Sequence, residues 1–231
     1  MARLIGIFLI SITGLAACAE TVAHQPDARI LVIGDSMMAW HGVSGRAVPD
    51  VIEDELGEPV INRATTAARM IYKLPISGAA GLNIAKQYRA GAWDWVVVNG
   101  GGNDLWLGCG CHQCDRKLDK LISADGTTGA IPDLLLNLRE SGAQVAFSGY
   151  LRSPGRSSPI EACADEGNTL EARVAKLADE TAGIYFVSMA DLVPEDDLSF
   201  HALDRIHPSI KGSRAIGKRL AAVIQGNRTK P

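Results

Sequence analysis

From Ile30 onward, short apolar runs alternate with longer stretches in which apolar residues recur at helical spacing. The runs are Ile30 to Gly34, Pro59 to Asn62, Trp95 to Asn99, Gln144 to Ser148 and Ile184 to Val187. A strand covered by helices on both faces has no polar side, so it reads as a near-continuous apolar run of this kind. Between the runs, Leu170, Val174, Leu177 and Ala178 fall at i, i+4, i+7 and i+8, as one buried helical stripe requires, and Gly183 supplies a stop. Ile216, Leu220, Val223 and Ile224 repeat the stripe near the end of the chain, and Gly226 is expected to close that helix. This alternation is the βαβ signature of a parallel sheet. Right-handed crossovers then give a three-layer α/β/α arrangement.

In open sheets of this type ligands bind beyond the carboxyl ends of the strands, which draws attention to the residues just past each run. The first run ends in Gly34-Asp35-Ser36, and a helix starting there would aim unpaired backbone N–H groups at an oxyanion forming beside the serine. Gly-Asp-Ser alone is also an ordinary turn. The third run leads into Gly100-Gly101-Gly102-Asn103-Asp104, placing Asn103 on the same edge as Ser36. Near the end of the chain, Asp204-Arg205-Ile206-His207-Pro208 sets an acid three residues before a histidine. At that spacing a carboxylate can fix the imidazole tautomer and stabilise the imidazolium formed when His207 takes a proton from a hydroxyl.

Gly34-Asp35-Ser36, Gly101-Gly102-Asn103-Asp104 and Asp204 to Pro208 together resemble the first, third and last blocks of the SGNH (GDSL-like) hydrolase family, in that family's order. The resemblance covers nearly all of the chain after residue 28 and implies a flavodoxin-like fold: one domain over 28–227, with a five-stranded parallel sheet in the order 2-1-3-4-5. It implies Ser36, His207 and Asp204 as catalytic residues, and an oxyanion hole from the N–H groups of Ser36 and Ala67 with the Asn103 side chain. The second block departs from the family, because Ala67 stands where a glycine is usual. Ala64 and Ala68 are the other registers for that donor. Asp35 reads as a structural hydrogen-bonding residue and His41, His112 and His201 as structural, while Asp104, Trp106 and Trp40 are either pocket-lining or packing residues.

The N-terminus differs in kind from the rest of the chain. Arg3 is the only charge up to Cys18, Leu4 to Ile12 is apolar, and small residues come next, which describes a secretory signal peptide over 1–18. Leu15-Ala16-Ala17-Cys18 resembles the bacterial lipobox, in which the cysteine is lipidated, so Cys18 is a candidate membrane anchor. Plain cleavage after Ala19 is the competing reading, giving a soluble periplasmic or secreted protein. In an oxidising compartment the remaining cysteines, Cys109, Cys111, Cys114 and Cys163, are expected to form two disulfides with Cys163 tied to the Cys109 to Cys114 segment. A zinc site is the reading that a reducing compartment would favour.

Composition narrows the partners. The 231 residues are 47% hydrophobic and 21% charged, enough for one sizeable core, and a formal net charge of −3 with dispersed cations gives no footprint for nucleic acid. Neither a P-loop nor a dinucleotide fingerprint is present, so no cofactor or metal is expected, and the absence of G-x-S-x-G argues against an α/β-hydrolase. The expected activity is hydrolysis of a small-molecule or saccharide ester, in the carboxylesterase class, through an acyl-enzyme on Ser36. Acyl transfer to a cell-envelope polysaccharide with the same triad, or a non-catalytic envelope-binding lipoprotein, are the alternatives. The segments Leu105 to Asp115 and Ser153 to Glu166 are expected as loops walling the pocket. Their polar composition favours short acyl groups.

Overall fold

A computed structural model describes residues 27–155, 158–194 and 196–228. The signal segment and Cys18 lie outside the described residues. All five expected strands form: β1 (Ile30–Ile33), β2 (Val60–Asn62), β3 (Trp95–Val98), β4 (Gln144–Ser148) and β5 (Ile184–Val187). They make one sheet in the order β2-β1-β3-β4-β5, and each neighbouring pair is parallel. Leu31 pairs with Ile61 on one side and Val96 on the other, so the first and third strands lie together at the centre.

The period-2 geometry of a strand divides its side chains between two cores. Ile30, Val32, Trp95 and Val97 point to one face and pack with Val48 and Ile52 of α2 (Val48–Leu56) and with Ile216, Leu220 and Ile224 of α8 (Ile210–Asn227). Leu31, Ile33, Val96 and Val98 point to the other and pack with Ile131, Leu135 and Leu138 of α6 (Ala130–Glu140) and Leu170 and Val174 of α7 (Ala164–Glu180). Burying each such side chain is worth roughly 1.5–3 kcal/mol, which is why both faces must be covered. The expected three layers result from this division. On the first face α2 and α8 approach closely at Gly217, where a Cβ would lie 2.5 Å from Val51.

Three local expectations are corrected. Gly226 does not end the last helix, which continues to Asn227, because Gly226 does not take the left-handed conformation by which a glycine closes a helix. Most of Leu105 to Asp115 is not loop: α4 (Gly102–Cys109) runs through it and α5 (Asp115–Leu121) starts at its end. The second segment, Ser153 to Glu166, likewise holds a 3-10 turn at Glu161–Cys163 and the first residues of α7. Shorter pieces complete the sheet edge. They are α1 (Ser36–Ala39) after β1 and the single turn α3 (Pro75–Ser77) after β2.

Candidate active site

The site starts at the end of β1, where Gly34 passes so close to β3 that a Cβ would stand 2.9 Å from the Asn99 carbonyl oxygen. The buried Gln87 clamps that glycine from the other side: its Oε1 accepts the Gly34 N–H at 2.7 Å, and its Nε2 donates to the Gly34 carbonyl at 2.8 Å. Asp35 then caps α1 by accepting the Met37 N–H at 2.9 Å, and Ser36 is the first residue of that helix. The other oxygen of Asp35 accepts the Tyr150 hydroxyl proton at 2.6 Å, and the Tyr150 oxygen in turn accepts the Gly102 N–H at 3.0 Å. One phenol therefore joins the ends of β1, β3 and β4. Burial pushes the Asp35 carboxyl up, with the Tyr150 and Met37 bonds opposing, and pushes the Tyr150 phenol up as well, helped by the Asp35 charge.

Asp204 and His207 lie in the turns just before α8, and they meet Ser36 across the sheet edge. Ser36 Oγ is 2.9 Å from His207 Nε2, and His207 Nδ1 is 2.6 Å from Asp204 Oδ2. A carboxylate only accepts, so Nδ1 carries the ring proton and Nε2 is the acceptor for the serine hydroxyl. The second Asp204 oxygen accepts the Ile206 and His207 N–H groups at 3.0 Å, which fixes the turn. Partial burial pushes the Asp204 carboxyl up, but the bonds from the His207 ring and from these N–H groups outweigh it and hold the carboxyl below its ordinary value. Trp40 stacks flat on the imidazole, with ring centroids 3.8 Å apart and planes 4° from parallel.

Asn103 lies in the first turn of α4, and its Nδ2 donates to the Ala68 carbonyl at 3.1 Å. The second amide hydrogen makes no hydrogen bond among the described residues. The bond to Ala68 ties Asn103 to the turn that carries Ala67, and the three alanine N–H groups of that region differ in their hydrogen bonding. Ala64 N–H donates to Asn62 Oδ1 at 3.0 Å and Ala68 N–H to the Thr65 carbonyl at 3.1 Å, whereas the Ala67 N–H makes no hydrogen bond among the described residues. Ala67 has φ +63°, the left-handed conformation that glycine adopts without strain. Asp104 is turned away from the cavity: buried, it accepts the Met70 and Ile71 N–H groups at 2.9 Å each and holds the following loop. Burial raises its carboxyl to about 6 against those two bonds.

Beside Ser36 and His207 is a cavity of about 120 Å³ whose wall includes Leu105, Trp106, Leu151, Ile160, Leu170 and Ile206. Its apolar lining corrects the polar wall expected from loop composition: Leu105, Trp106 and Ile160 of those same two segments face the cavity, and Leu151, Leu170 and Ile206 join them from outside the segments. Trp106 belongs to this wall. The cysteines pair as Cys109–Cys114 and Cys111–Cys163, so the second bridge ties the end of α4 to the start of α7, and Cys163 itself lines the cavity. Tyr150, Gln87 and the stacking role of Trp40 escape a reading of the sequence. Tyr150 had one signal, its place two residues beyond β4 on the edge that carries Ser36.

Comparison with known proteins gives the same outline. A structure of the lipase Lip_vut3 from a goat rumen metagenome superposes with a TM-score of 0.56 at 20% identity, over 84% of this chain and 95% of that one. A family two carbohydrate esterase from Clostridium thermocellum, solved in complex with cellohexaose, gives 0.57 at 20% identity, over 87% of this chain and 65% of that one. A carbohydrate esterase family 2 enzyme from Corynascus thermopiles gives 0.57 at 18%, over 85% and 65%. At these identities the likeness is one of fold. No curated protein sequence matches the chain. The family model for GDSL-like lipases and acylhydrolases, however, matches residues 32–215, and the chain belongs to the GDSL-like lipase/acylhydrolase family of ester-hydrolysing enzymes.

Proposed function

We propose that this protein is an exported serine esterase that hydrolyses short-acyl esters by way of an acyl-enzyme on Ser36. The observation that carries the reading is the unbroken chain Ser36 Oγ to His207 Nε2 and His207 Nδ1 to Asp204, at 2.9 and 2.6 Å, opening on a small apolar cavity. His207 takes the Ser36 proton as Oγ attacks the ester carbonyl. The carbonyl electron pair moves to oxygen, where the Ser36 and Ala67 N–H groups and the second Asn103 amide hydrogen stabilise it. Collapse expels the alkoxide with the proton from His207, and water repeats the sequence to release the acid.

Cavity size supports the acyl class. An apolar cavity of roughly 150 Å³ holds one benzene, so about 120 Å³ suits acetyl to butyryl groups and not a chain of about ten carbons. The bridges Cys109–Cys114 and Cys111–Cys163 support export, since an oxidising compartment preserves them. Saccharide esters belong among the substrates to try, because family two carbohydrate esterases share the fold. The test is a fluorophosphonate probe together with a nitrophenyl ester series compared by kcat/KM. Wild-type protein should label at Ser36 and prefer acyl chains of two to four carbons, as roughly judged from the cavity. Labelling that persists in Ser36→Ala rejects the nucleophile, and a maximum at long chains rejects the acyl class.

A further inference from the structure

Trp40 lies outside the catalytic chain, yet it makes the closest ring contact of any aromatic side chain with His207 among the described residues. Its position is set locally by the sequence. Four residues after Ser36, it ends α1 by donating its backbone N–H to the Ser36 carbonyl at 2.9 Å, so the short helix that presents the serine also presents the indole. His41 then packs edge-on against the indole, at 6.2 Å and 73°, and its Nε2–H donates to the Pro208 carbonyl at 3.1 Å. The indole is thereby held between its own helix, His41 and the imidazole of His207, with the His207 side chain only 17% exposed.

We propose that Trp40 is a positioning residue whose π-face holds the His207 ring in plane and stabilises the positive charge this ring carries in the transition state. The inference rests on the esterase reading above. In the acylation step the Oγ–H bond of Ser36 breaks, the proton passes to Nε2, Oγ bonds to the acyl carbon, and the carbonyl π pair moves to oxygen. The imidazole is neutral before this transfer and cationic during it. An indole face attracts a stacked cation more than the neutral ring, through its quadrupole. The attraction is therefore greater in the transition state than in the ground state, and only such a difference raises kcat. Asp204 answers the same charge at Nδ1, in the ring plane, whereas Trp40 acts on its face. Asp35 is a more distant titratable group that interacts with His207, while His41 and His201 border the same turn through their contacts with Pro208.

Ring fluorination tests this, because it withdraws electron density from the indole face while nearly preserving its shape. With fluorinated tryptophans placed at position 40 alone, kcat should fall stepwise with each added fluorine while KM stays constant. Trp40→Phe should keep part of the rate, and Trp40→Leu should lose about 2- to 30-fold, the range expected for a cation–π contact. A kcat indifferent to fluorination, or a loss confined to KM, overturns the proposal. The stack is read separately by NMR in the Ser36→Ala protein. There the His207 ring protons should lie upfield through the indole ring current and move downfield on adding Trp40→Leu, and unmoved resonances overturn the contact. A wild-type protein inactive on every ester while that shift is present rejects the esterase reading and the rate role built on it, whereas active enzyme without the fluorine effect rejects the Trp40 role alone.

Discussion

Tyr150→Phe isolates the bond network beneath the site. The hydroxyl donates to Asp35 at 2.6 Å and accepts from Gly102 at 3.0 Å, and phenylalanine removes both bonds without removing the ring. A hydrogen bond to a charged group is worth roughly 1.5–3 kcal/mol, and an orphaned buried N–H costs about 1–3 kcal/mol. The two losses share one atom and do not simply add, so the expected destabilisation near pH 8 is about 3 kcal/mol. For a domain of this size that is a fall in Tm of about 6–12 °C. The pH dependence distinguishes the two parts. Burial raises the folded-state pKa of Asp35 and the Tyr150 bond pulls it back. A raised carboxyl pKa means that ionised Asp35 opposes folding as pH rises through the folded value, and that Tyr150 limits this cost. Its removal therefore matters most where Asp35 is ionised, so the loss should be smaller at pH 4 than at pH 8. Urea unfolding of wild type, Tyr150→Phe, Asp35→Asn and the double variant at both pH values measures the coupling. A loss under about 1 kcal/mol at pH 8, or a larger loss at pH 4 than at pH 8, refutes the assignment of the network as charge-assisted.

Asn103→Ala should lower kcat on a short ester by about a hundredfold with little change in KM, the pattern of a group acting in the transition state, and near-normal turnover would remove it from the site. Ala67→Gly keeps the N–H and relieves a φ of +63°, so activity should be kept or raised while unfolding stability changes by no more than about 1 kcal/mol; a large loss of activity would mean another donor. The Asp104 carboxyl, raised to about 6 from 3.8, makes stability fall as pH rises across that window by about 3 kcal/mol. Asp104→Asn should flatten the difference in urea midpoint between pH 4 and pH 7, and an unchanged difference would refute the burial argument. Non-reducing peptide mapping should recover Cys109–Cys114 and Cys111–Cys163. The second link closes a separation of 52 residues, and opening it with Cys111→Ala and Cys163→Ala should cost about 4 kcal/mol.

Much of the scaffold is written locally. A strand buried on both faces must be apolar at nearly every position, so the runs from Ile30 to Val187 announced all five strands within a residue or so, and the 3.6-residue stripes through Leu170 and Ile216 announced the flanking helices. The ends of β1 and β3 are equally local, since a glycine turn follows each, and that placed Ser36 and Asn103 on one edge. The three-residue spacing of Asp204 and His207 needed only a single turn to become a contact. Sequence failed where a contact spans the fold. Tyr150 meets Asp35 at a separation of 115 residues and Gln87 meets Gly34 at 53, and no local period or propensity encodes such pairs. Which of the Ala64, Ala67 and Ala68 N–H groups is already bonded depended on how the surrounding turn folds, and the partner of Cys163 depended on where α4 ends against α7. The cavity wall shows the same limit. Leu105 and Leu170 come from different helices 65 residues apart, and only close packing of α4 and α7 on one sheet face brings them to line the same space beside Ser36.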